Sequence, residues 1–189
     1  MPKTFLITGV SSGFGRALAE AALSDGHTVV GTVRNENDKQ KFEALGEGVH
    51  AVILDVTDFG AIAPAVADVE RTIGAIGVLV NNAGYGHEGI LEESSIDDLR
   101  RQFEVNVFGA VAMIQAVLPF MRKRRAGHIL NVTSMGGFIT MPGLGYYHGS
   151  KFALEGISET LGKEVNDLGI KVTAVIAGGM RTPFFDGRE

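Results

Sequence analysis

Apolar strand-like runs alternate with helical stretches along the whole chain. The runs are nearly continuous in Val, Ile and Leu, which is typical of strands covered by helices on both faces. Because strands that alternate with helices are joined by right-handed crossovers, this order predicts an α/β fold with a doubly wound parallel sheet in three layers, α/β/α. The six predicted strands are Thr4–Thr8, Thr28–Val33, Val49–Asp55, Val78–Asn81, His128–Thr133 and Lys171–Ala177, and the predicted helices are Gly15–Ser24, Asp38–Leu45, Gly60–Ile73, Ile96–Arg124 and Tyr147–Leu168.

Charge and cysteine content exclude several classes of function. The 189 residues carry a net charge of −5, which gives no general attraction to nucleic acid. The chain has no cysteine, so disulfides, thiolate nucleophiles and cysteine-bound zinc are excluded, and its five histidines show no metal-binding spacing. We therefore expect no metal and a cytoplasmic location. The uncharged stretch from Val105 to Met121 contains Asn106, Gln115 and Pro119, which favours a buried helix over a membrane span.

A glycine-rich turn follows the first predicted strand and opens the first helix, with the spacing Gly-x3-Gly-x-Gly. Gly9 permits a tight turn, Gly13 lets backbone amides approach a pyrophosphate, and Gly15 lets the helix pack close to the sheet. The helix N-terminus offers free N–H groups and a partial positive charge to an anion. A bare structural turn is the alternative to a dinucleotide site. The residues expected to contact the dinucleotide are Gly9, Ser11, Ser12, Gly13, Phe14 and Gly15.

The end of the second strand bears on cofactor choice. Many dinucleotide sites place an acid there to hold the adenosine ribose hydroxyls, but this chain has Val33 and Arg34. A guanidinium grips a 2′-phosphate bidentately, so we predict NADP(H) in preference to NAD(H); a solvated loop arginine is the alternative. Asp55, followed by Val56, ends the third strand and is placed to accept a hydrogen bond from the adenine amino group. Its alternative role is a helix cap.

Five motifs stand in one order along the chain. They are the glycine turn, Asn81-Asn82-Ala83-Gly84, Asn106 within Val-Asn-Val, Ser134, and Tyr147-x3-Lys151. Together they resemble the short-chain dehydrogenase/reductase family, and the resemblance covers essentially the whole chain. It implies an oxidoreductase that interconverts an alcohol and a carbonyl by hydride transfer. It also implies cofactor contacts at Asn82, Ala83, Gly84, Tyr147, Lys151 and Thr182, although Asn82 has the alternative role of tying neighbouring strands together.

The same resemblance assigns catalytic roles to four residues. Tyr147 passes a proton to or from the substrate oxygen, Ser134 donates a hydrogen bond to that oxygen, Asn106 positions a water that resupplies the proton, and Lys151 holds the nicotinamide ribose. Tyr147 and Lys151 share a helix face, and a cation about 5 Å away lowers the pKa of a phenol by roughly two units. The alternatives are a turn-forming Ser134, a satisfied polar Asn106 and a core-packing Tyr147. His148 is predicted to face solvent.

Family members continue through further helices and a seventh strand. We therefore expect residues 1–189 to form a single dinucleotide-binding and catalytic domain that lacks the C-terminal substrate lobe. A homodimer or homotetramer acting on a small-molecule carbonyl or alcohol is expected. A dinucleotide-binding sensor or scaffold without turnover, and a lyase or epimerase of the same superfamily, are the competing functions. The apolar residues that favour a lipophilic substrate are Phe138, Met141, Leu144, Met180, Phe184 and Phe185.

Overall fold

Six parallel strands form one sheet with helices on both faces, which confirms the predicted fold class. The computed structural model describes residues 1–179. The strand order is β3-β2-β1-β4-β5-β6, so the chain turns from one half of the sheet to the other between β3 and β4. Beside β1 and β4, helices leave toward opposite faces, and such a switch point opens a crevice at the carboxyl ends of the strands. The strands are β1 (Thr4–Ile7), β2 (Thr28–Val33), β3 (Val49–Ile53), β4 (Ile76–Asn81), β5 (Gly127–Val132) and β6 (Ile170–Val175).

The helices follow the predicted stretches with one internal difference. The stretch from Ile96 to Arg124 is interrupted by a π-helical turn at Glu104–Gly109, which separates two α-helices. The π turn was not predicted, because such turns occur as single bulges inside helices that otherwise read as continuous. The helices are α1 (Gly13–Ser24), α2 (Glu36–Glu43), α3 (Phe59–Thr72), α4 (Ile96–Phe103), α5 (Ala110–Arg124) and α6 (Gly145–Val165).

Each face of the sheet has its own hydrophobic core. Consecutive strand residues point to opposite faces, so Leu6 belongs to one core and Ile7 to the other. The first core is filled from α3, α5 and α6, and the second from α1 and α2, where Phe42 is fully buried. Burial on both faces explains why the strands read as continuous apolar runs.

The stretch Ile96–Arg124 is long and apolar enough, by length and composition alone, to cross a membrane. In the structure its second half packs on the sheet through Met113, Val117 and Met121, which are fully buried. A core helix passes the same test of length and hydropathy. At its end, the Arg124 guanidinium holds both carboxylate oxygens of Glu70 at 2.9 and 3.0 Å. The basic run that ends this helix therefore contains a structural ion pair.

Gly31 in β2 provides a test of packing in the second core. A Cβ at this position would lie 2.6 Å from Cε1 of Phe42 and would also overlap Val10. We expect Gly31→Ala to lower the free energy of unfolding by about 1–3 kcal/mol, because an overpacked core shifts side chains off their rotamers. Gly156→Ala in α6 is the matched control, since nothing lies within 4 Å of its added methyl. That change should be neutral or stabilising by about 0.5–1 kcal/mol. Equal unfolding midpoints in denaturant for the two variants would contradict this account.

Candidate active site

A cavity of about 540 Å³ lies at the carboxyl ends of the strands. Its wall is built from the turn after β1, the ends of β2 to β5 and the first turns of α6. Gly15 and Asn106 do not line it, and Thr182, Met180, Phe184 and Phe185 lie outside the described residues. The predicted site residues that do line it are Gly9, Ser11, Ser12, Gly13, Phe14, Arg34, Asp55, Val56, Asn82, Ala83, Gly84, Ser134, Tyr147 and Lys151.

The glycine turn has the backbone conformation that its sequence predicts. Gly9 and Gly13 have φ values of 70° and 59°, in the left-handed region that L side chains rarely adopt. A Cβ on Gly9 would lie 3.1 Å from Cα of Ala83, and one on Gly15 would overlap the Gly9 carbonyl and the Asn82 amide. The Ser12 side chain makes no cap hydrogen bond to α1. The first N–H groups of α1 are thus left for an anion, which is what a bound pyrophosphate requires.

Asn82 joins the end of β4 to the turn after β1. Its Nδ2 donates to the carbonyls of Thr8 and Gly9, both at 2.9 Å. In return, the Thr8 hydroxyl accepts from the backbone N–H groups of Asn82 and Ala83, at 3.0 and 2.9 Å. The strand-tying role is therefore observed, and Asn82 and Ala83 also line the cavity. The cofactor contact stays a prediction.

Ser134, Tyr147 and Lys151 meet at the other end of the cavity. The Ser134 hydroxyl accepts from the Gly136 N–H at 3.1 Å and is hydrogen-bonded to the Tyr147 side chain. Lys151 donates from Nζ to the Val132 carbonyl at 2.9 Å, and its Nζ lies 5.8 Å from the centre of the Tyr147 ring. Tyr147 and Lys151 are 7% and 4% exposed. The chain therefore holds a hydroxyl, a phenol and an ammonium in a largely buried group.

Burial raises the pKa of the Tyr147 phenol above its ordinary value of 10.0, and the hydrogen bond with Ser134 lowers it by less. The direction is opposite to the expectation that Lys151 lowers the pKa of the phenol by roughly two units. That expectation was wrong for the protein alone, because it left out the cost of removing a phenolate from water. A phenol with a raised pKa stays protonated at neutral pH, so Tyr147 carries its proton in the cofactor-free protein.

Asn106 lies behind the cavity wall and is only 2% exposed. Its Oδ1 accepts from the Tyr85 N–H at 3.0 Å, and its Nδ2 donates to the Tyr85 carbonyl and to the Ser150 hydroxyl, at 2.9 and 3.1 Å. This geometry matches the alternative of a satisfied buried polar side chain, which holds the segment after Asn82-Ala83-Gly84 and contacts the neighbour of Lys151. Its role in placing a water stays a prediction.

Gln102 is a site-building residue that the sequence analysis missed. It is fully buried and lies one helical turn before Asn106. Its Nε2 donates to the Tyr85 carbonyl and its Oε1 accepts from the His87 N–H, both at 2.7 Å. The four-residue spacing to Asn106 places both amides on one face, and that spacing is the signal that was available in the sequence.

His148 is buried, which corrects the prediction that it faces solvent. It is 3% exposed and hydrogen-bonded through both ring nitrogens to the loop that follows Ser134. The prediction was wrong because the residue beside Tyr147 on α6 faces this loop, and nothing local in the sequence shows that the loop folds back onto the helix.

The opposite end of the cavity contains the residues expected near an adenosine. Arg34 is exposed at the end of β2, and no hydrogen bond or ion pair from residues 1–179 holds its guanidinium. Oδ1 of Asp55 accepts from the N–H and hydroxyl of Thr57, at 2.9 and 2.7 Å, so Asp55 closes its own turn, and Asp58 instead caps α3. Further lining residues that the sequence analysis did not single out include Thr32, Asp38, Leu54, Arg101, Val105 and Thr133.

A profile of the short chain dehydrogenase family matches residues 3–189. This chain belongs to the short-chain dehydrogenase/reductase family. It is 42% identical over 188 residues to a 3-ketodihydrosphingosine reductase of Bacteroides thetaiotaomicron, in a match that covers 100% of this chain and 68% of that protein. A short-chain dehydrogenase from Streptomyces avermitilis shares 43% identity, with a TM-score of 0.93, over 99% of this chain and 70% of that one.

Two further short-chain dehydrogenase/reductase neighbours are cofactor complexes. ElxO with NADP bound is 30% identical with a TM-score of 0.93, covering 96% of this chain and 75% of that one. A 3-ketoacyl-(acyl-carrier-protein) reductase from Brucella melitensis, complexed with NADH, is 29% identical with a TM-score of 0.92, covering 97% and 79%. The family makes this chain a hydride-transfer oxidoreductase that uses a nicotinamide dinucleotide, and the comparisons give no support to the non-catalytic alternative. The chain spans about two thirds of the length of the curated relatives it matches.

The burial of Tyr147 gives a prediction that needs no turnover. In the cofactor-free protein, the tyrosinate absorbance lost in Tyr147→Phe should titrate with a midpoint above 10.0, because burial penalises the phenolate. Ser134→Ala should move that midpoint further up, since the Ser134 hydrogen bond is what lowers it. The measurement is an ultraviolet pH titration of each variant, with Ser24→Ala, at the far end of α1, as control. A midpoint in the neutral range would show that Lys151 outweighs burial.

Proposed function

We propose that this short-chain dehydrogenase/reductase is an NADP(H)-preferring oxidoreductase that acts on a CH–OH or carbonyl carbon, with Tyr147 as its acid and base. The observation that carries the proposal is that Ser134 and the buried Tyr147 and Lys151 lie together at one end of a cavity whose other end is the glycine turn. A protein that only bound a dinucleotide would have no need of a proton donor there.

The wall of the cavity fits a nicotinamide dinucleotide. The turn at Gly9 and Gly13 leaves the α1 N-terminus open to a pyrophosphate, and Asp55 and Val56 line the adenosine end. Lys151 and Asn82 line the opposite part of the wall. When bound, the dinucleotide supplies the hydride chemistry, and the protein supplies orientation and electrostatics.

The remaining chemistry belongs to the side chains. In carbonyl reduction, Tyr147 is protonated at neutral pH and donates its phenolic proton to the substrate oxygen. The Ser134 hydroxyl donates a hydrogen bond to the same oxygen as negative charge builds on it. Lys151, buried beside the phenol, stabilises the phenolate that remains after proton transfer. In alcohol oxidation the phenolate takes the proton back.

The preference for NADP(H) is argued from the end of β2. Arg34 lines the cavity and is exposed, while Val33 is 3% exposed and stands where a ribose-binding acid would be. Asp38 also lines this region, and its carboxylate accepts from Nδ2 of Asn35 at 2.8 Å. The NADP complex of ElxO supports the proposal, and the NADH complex of the Brucella melitensis reductase shows that cofactor choice differs among neighbours of this fold.

Arg34→Ala tests the cofactor preference. We expect weaker NADPH binding by about 1.5–3 kcal/mol, a factor of roughly 10 to 150 in Kd, because a charged hydrogen bond to the 2′-phosphate is lost. NADH affinity should change little, since NADH lacks that phosphate. Arg100→Ala, which removes an exposed arginine paired with Asp97, is the control. Fluorescence titration of both cofactors decides the matter, and equal losses would show that Arg34 does not read the phosphate.

Tyr147→Phe tests the catalytic assignment. The ring stays and only the hydroxyl is removed, so packing and NADPH affinity should be preserved. Turnover of a carbonyl substrate should fall by about 10²–10⁴-fold, the usual contribution of a general acid. Tyr146→Phe, which removes the hydroxyl that donates to the Ser94 carbonyl at 2.9 Å, is the control on the adjacent residue. Parental turnover from Tyr147→Phe would make the assignment wrong.

The substrate end of the cavity favours a lipophilic ketone. Met135, Ile139, Met141 and Leu144 line it, and the first three are 47%, 53% and 52% exposed. The predicted Phe138 is also exposed but does not line this cavity. The name of the Bacteroides thetaiotaomicron relative specifies a ketone on a long alkyl chain, which is consistent with such a surface. Water leaves these side chains when an alkyl chain covers them, and that transfer favours binding.

A series of straight-chain methyl ketones tests the substrate class. We expect kcat/KM to rise by roughly fourfold per added methylene while the chain still contacts this surface, from about 0.8 kcal/mol per buried CH₂. Ile139→Ser combined with Met141→Ser should flatten that rise without changing the Kd for NADPH. Phe59→Ser, at the start of α3, is the control for loss of an exposed apolar side chain. A rise of the same slope in the double variant would place the alkyl chain elsewhere.

Two exposed aromatic side chains bear on how the protein assembles. Phe108 in the π turn and Phe152 on α6 are 49% and 45% exposed, which supports a homodimer or homotetramer built through these helices. We propose a single catalytic domain that acts in the cytoplasm.

A further inference from the structure

His148 is a buried imidazole with no part in the chemistry described above. It follows Tyr147 on α6 and is 3% exposed. Its Nδ1 lies 2.9 Å from the Gly136 carbonyl oxygen, and its Nε2 lies 2.9 Å from the Met141 backbone nitrogen. The two ring nitrogens therefore bridge two points of the loop between Ser134 and α6.

These two partners determine the tautomer. A carbonyl oxygen only accepts and a backbone N–H only donates, so Nδ1 must carry the proton and Nε2 must present its lone pair. His148 is thus a neutral imidazole that donates to Gly136 and accepts from Met141. The other tautomer would set a donor against the Met141 N–H and an acceptor against the Gly136 carbonyl.

The Gly136 residue connects this imidazole to the catalytic hydroxyl. Its carbonyl accepts from His148, while its N–H donates to the Ser134 hydroxyl at 3.1 Å. A Cβ on Gly136 would lie 2.7 Å from Nδ1 of His148 and 3.0 Å from Cε1 of Tyr147, so this backbone is packed against both rings. A shift of the imidazole would therefore also shift Gly136, whose N–H group orients the Ser134 hydroxyl.

We propose that His148 is a positioning residue, which holds the Ser134 hydroxyl against Tyr147 and closes the loop from Gly136 to Met141 over the cavity. This inference rests on the proposed function for its catalytic consequence, and on the hydrogen bonds alone for its structural part. Helix α6 therefore carries both the proposed proton donor, Tyr147, and the residue that positions its hydrogen-bonding partner, Ser134. That positioning residue is His148.

Three substitutions separate the two hydrogen bonds. In His148→Asn the amide nitrogen takes the position of Nδ1, so the bond to Gly136 is kept and the bond from Met141 is lost. In His148→Gln the amide oxygen reaches the position of Nε2, so the bond from Met141 is kept and the other is lost. His148→Phe removes both and keeps a ring. His50→Phe, at an exposed histidine on β3, is the matched control.

Two measurements on the cofactor-free protein test the structural part. Nitrogen NMR of the histidine rings at neutral pH should show His148 with its proton on Nδ1, and a proton on Nε2 would overturn the proposal. Ultraviolet titration of Tyr147 should show its midpoint raised in His148→Phe as in Ser134→Ala, with no further rise in the double variant. A midpoint equal to that of the parent protein would also overturn it.

Turnover of a methyl ketone with NADPH tests the catalytic part. We expect His148→Phe to lower kcat by about 10- to 100-fold, the size of a misplaced catalytic group, with the Kd for NADPH within about twofold of the parent. In a Ser134→Ala background the same change should have little effect, because the two residues act as one unit. A full effect in both backgrounds, or an equal loss of NADPH affinity, would overturn the proposal. If no ketone were reduced by the parent protein, the proposed function would fail while the NMR and titration results still decided the role of His148.

Discussion

The contact between Asn82 and the turn after β1 is the constraint on which the site depends. Two neighbouring parallel strands end there, and the Asn82 amide is held by the carbonyls of Thr8 and Gly9. Gly15 packs against the same amide, where a side chain would overlap it. The start of α1 is thereby fixed relative to the end of β4. The N-terminus of α1 and the cavity wall beside it are thereby held together, as the proposed pyrophosphate site requires.

At the end of the cavity that is proposed to be catalytic, burial sets the protonation state of Tyr147. Tyr147 and Lys151 are almost removed from water, so the phenol keeps its proton and the ammonium must find a partner in the Val132 carbonyl. Removing a charge from water is costly unless it is compensated, and here hydrogen bonds do so for the lysine. In the cofactor-free protein the phenol is consequently protonated at neutral pH.

Buried amides connect the two ends. Asn106 and Gln102 both donate to the Tyr85 carbonyl, which places the segment after Asn82-Ala83-Gly84 against the helix that carries the π turn. Asn106 also donates to Ser150, the residue before Lys151. One polar cluster in this way connects the cavity wall to α6, which carries Tyr147 and Lys151. Its geometry is specified because buried donors and acceptors need hydrogen-bond partners.

The sequence by itself determined the fold class, the glycine turn and the pairing of Tyr147 with Lys151, because each depends on residues a few positions apart. Apolar runs mark strands, left-handed turns require Gly9 and Gly13, and residues four apart share a helix face. Only the tertiary structure decided that His148 is buried and that the pKa of Tyr147 moves upward. Burial and long-range hydrogen bonds depend on residues that are far apart in the chain, such as Thr8 and Asn82. A local sequence pattern therefore does not reveal them.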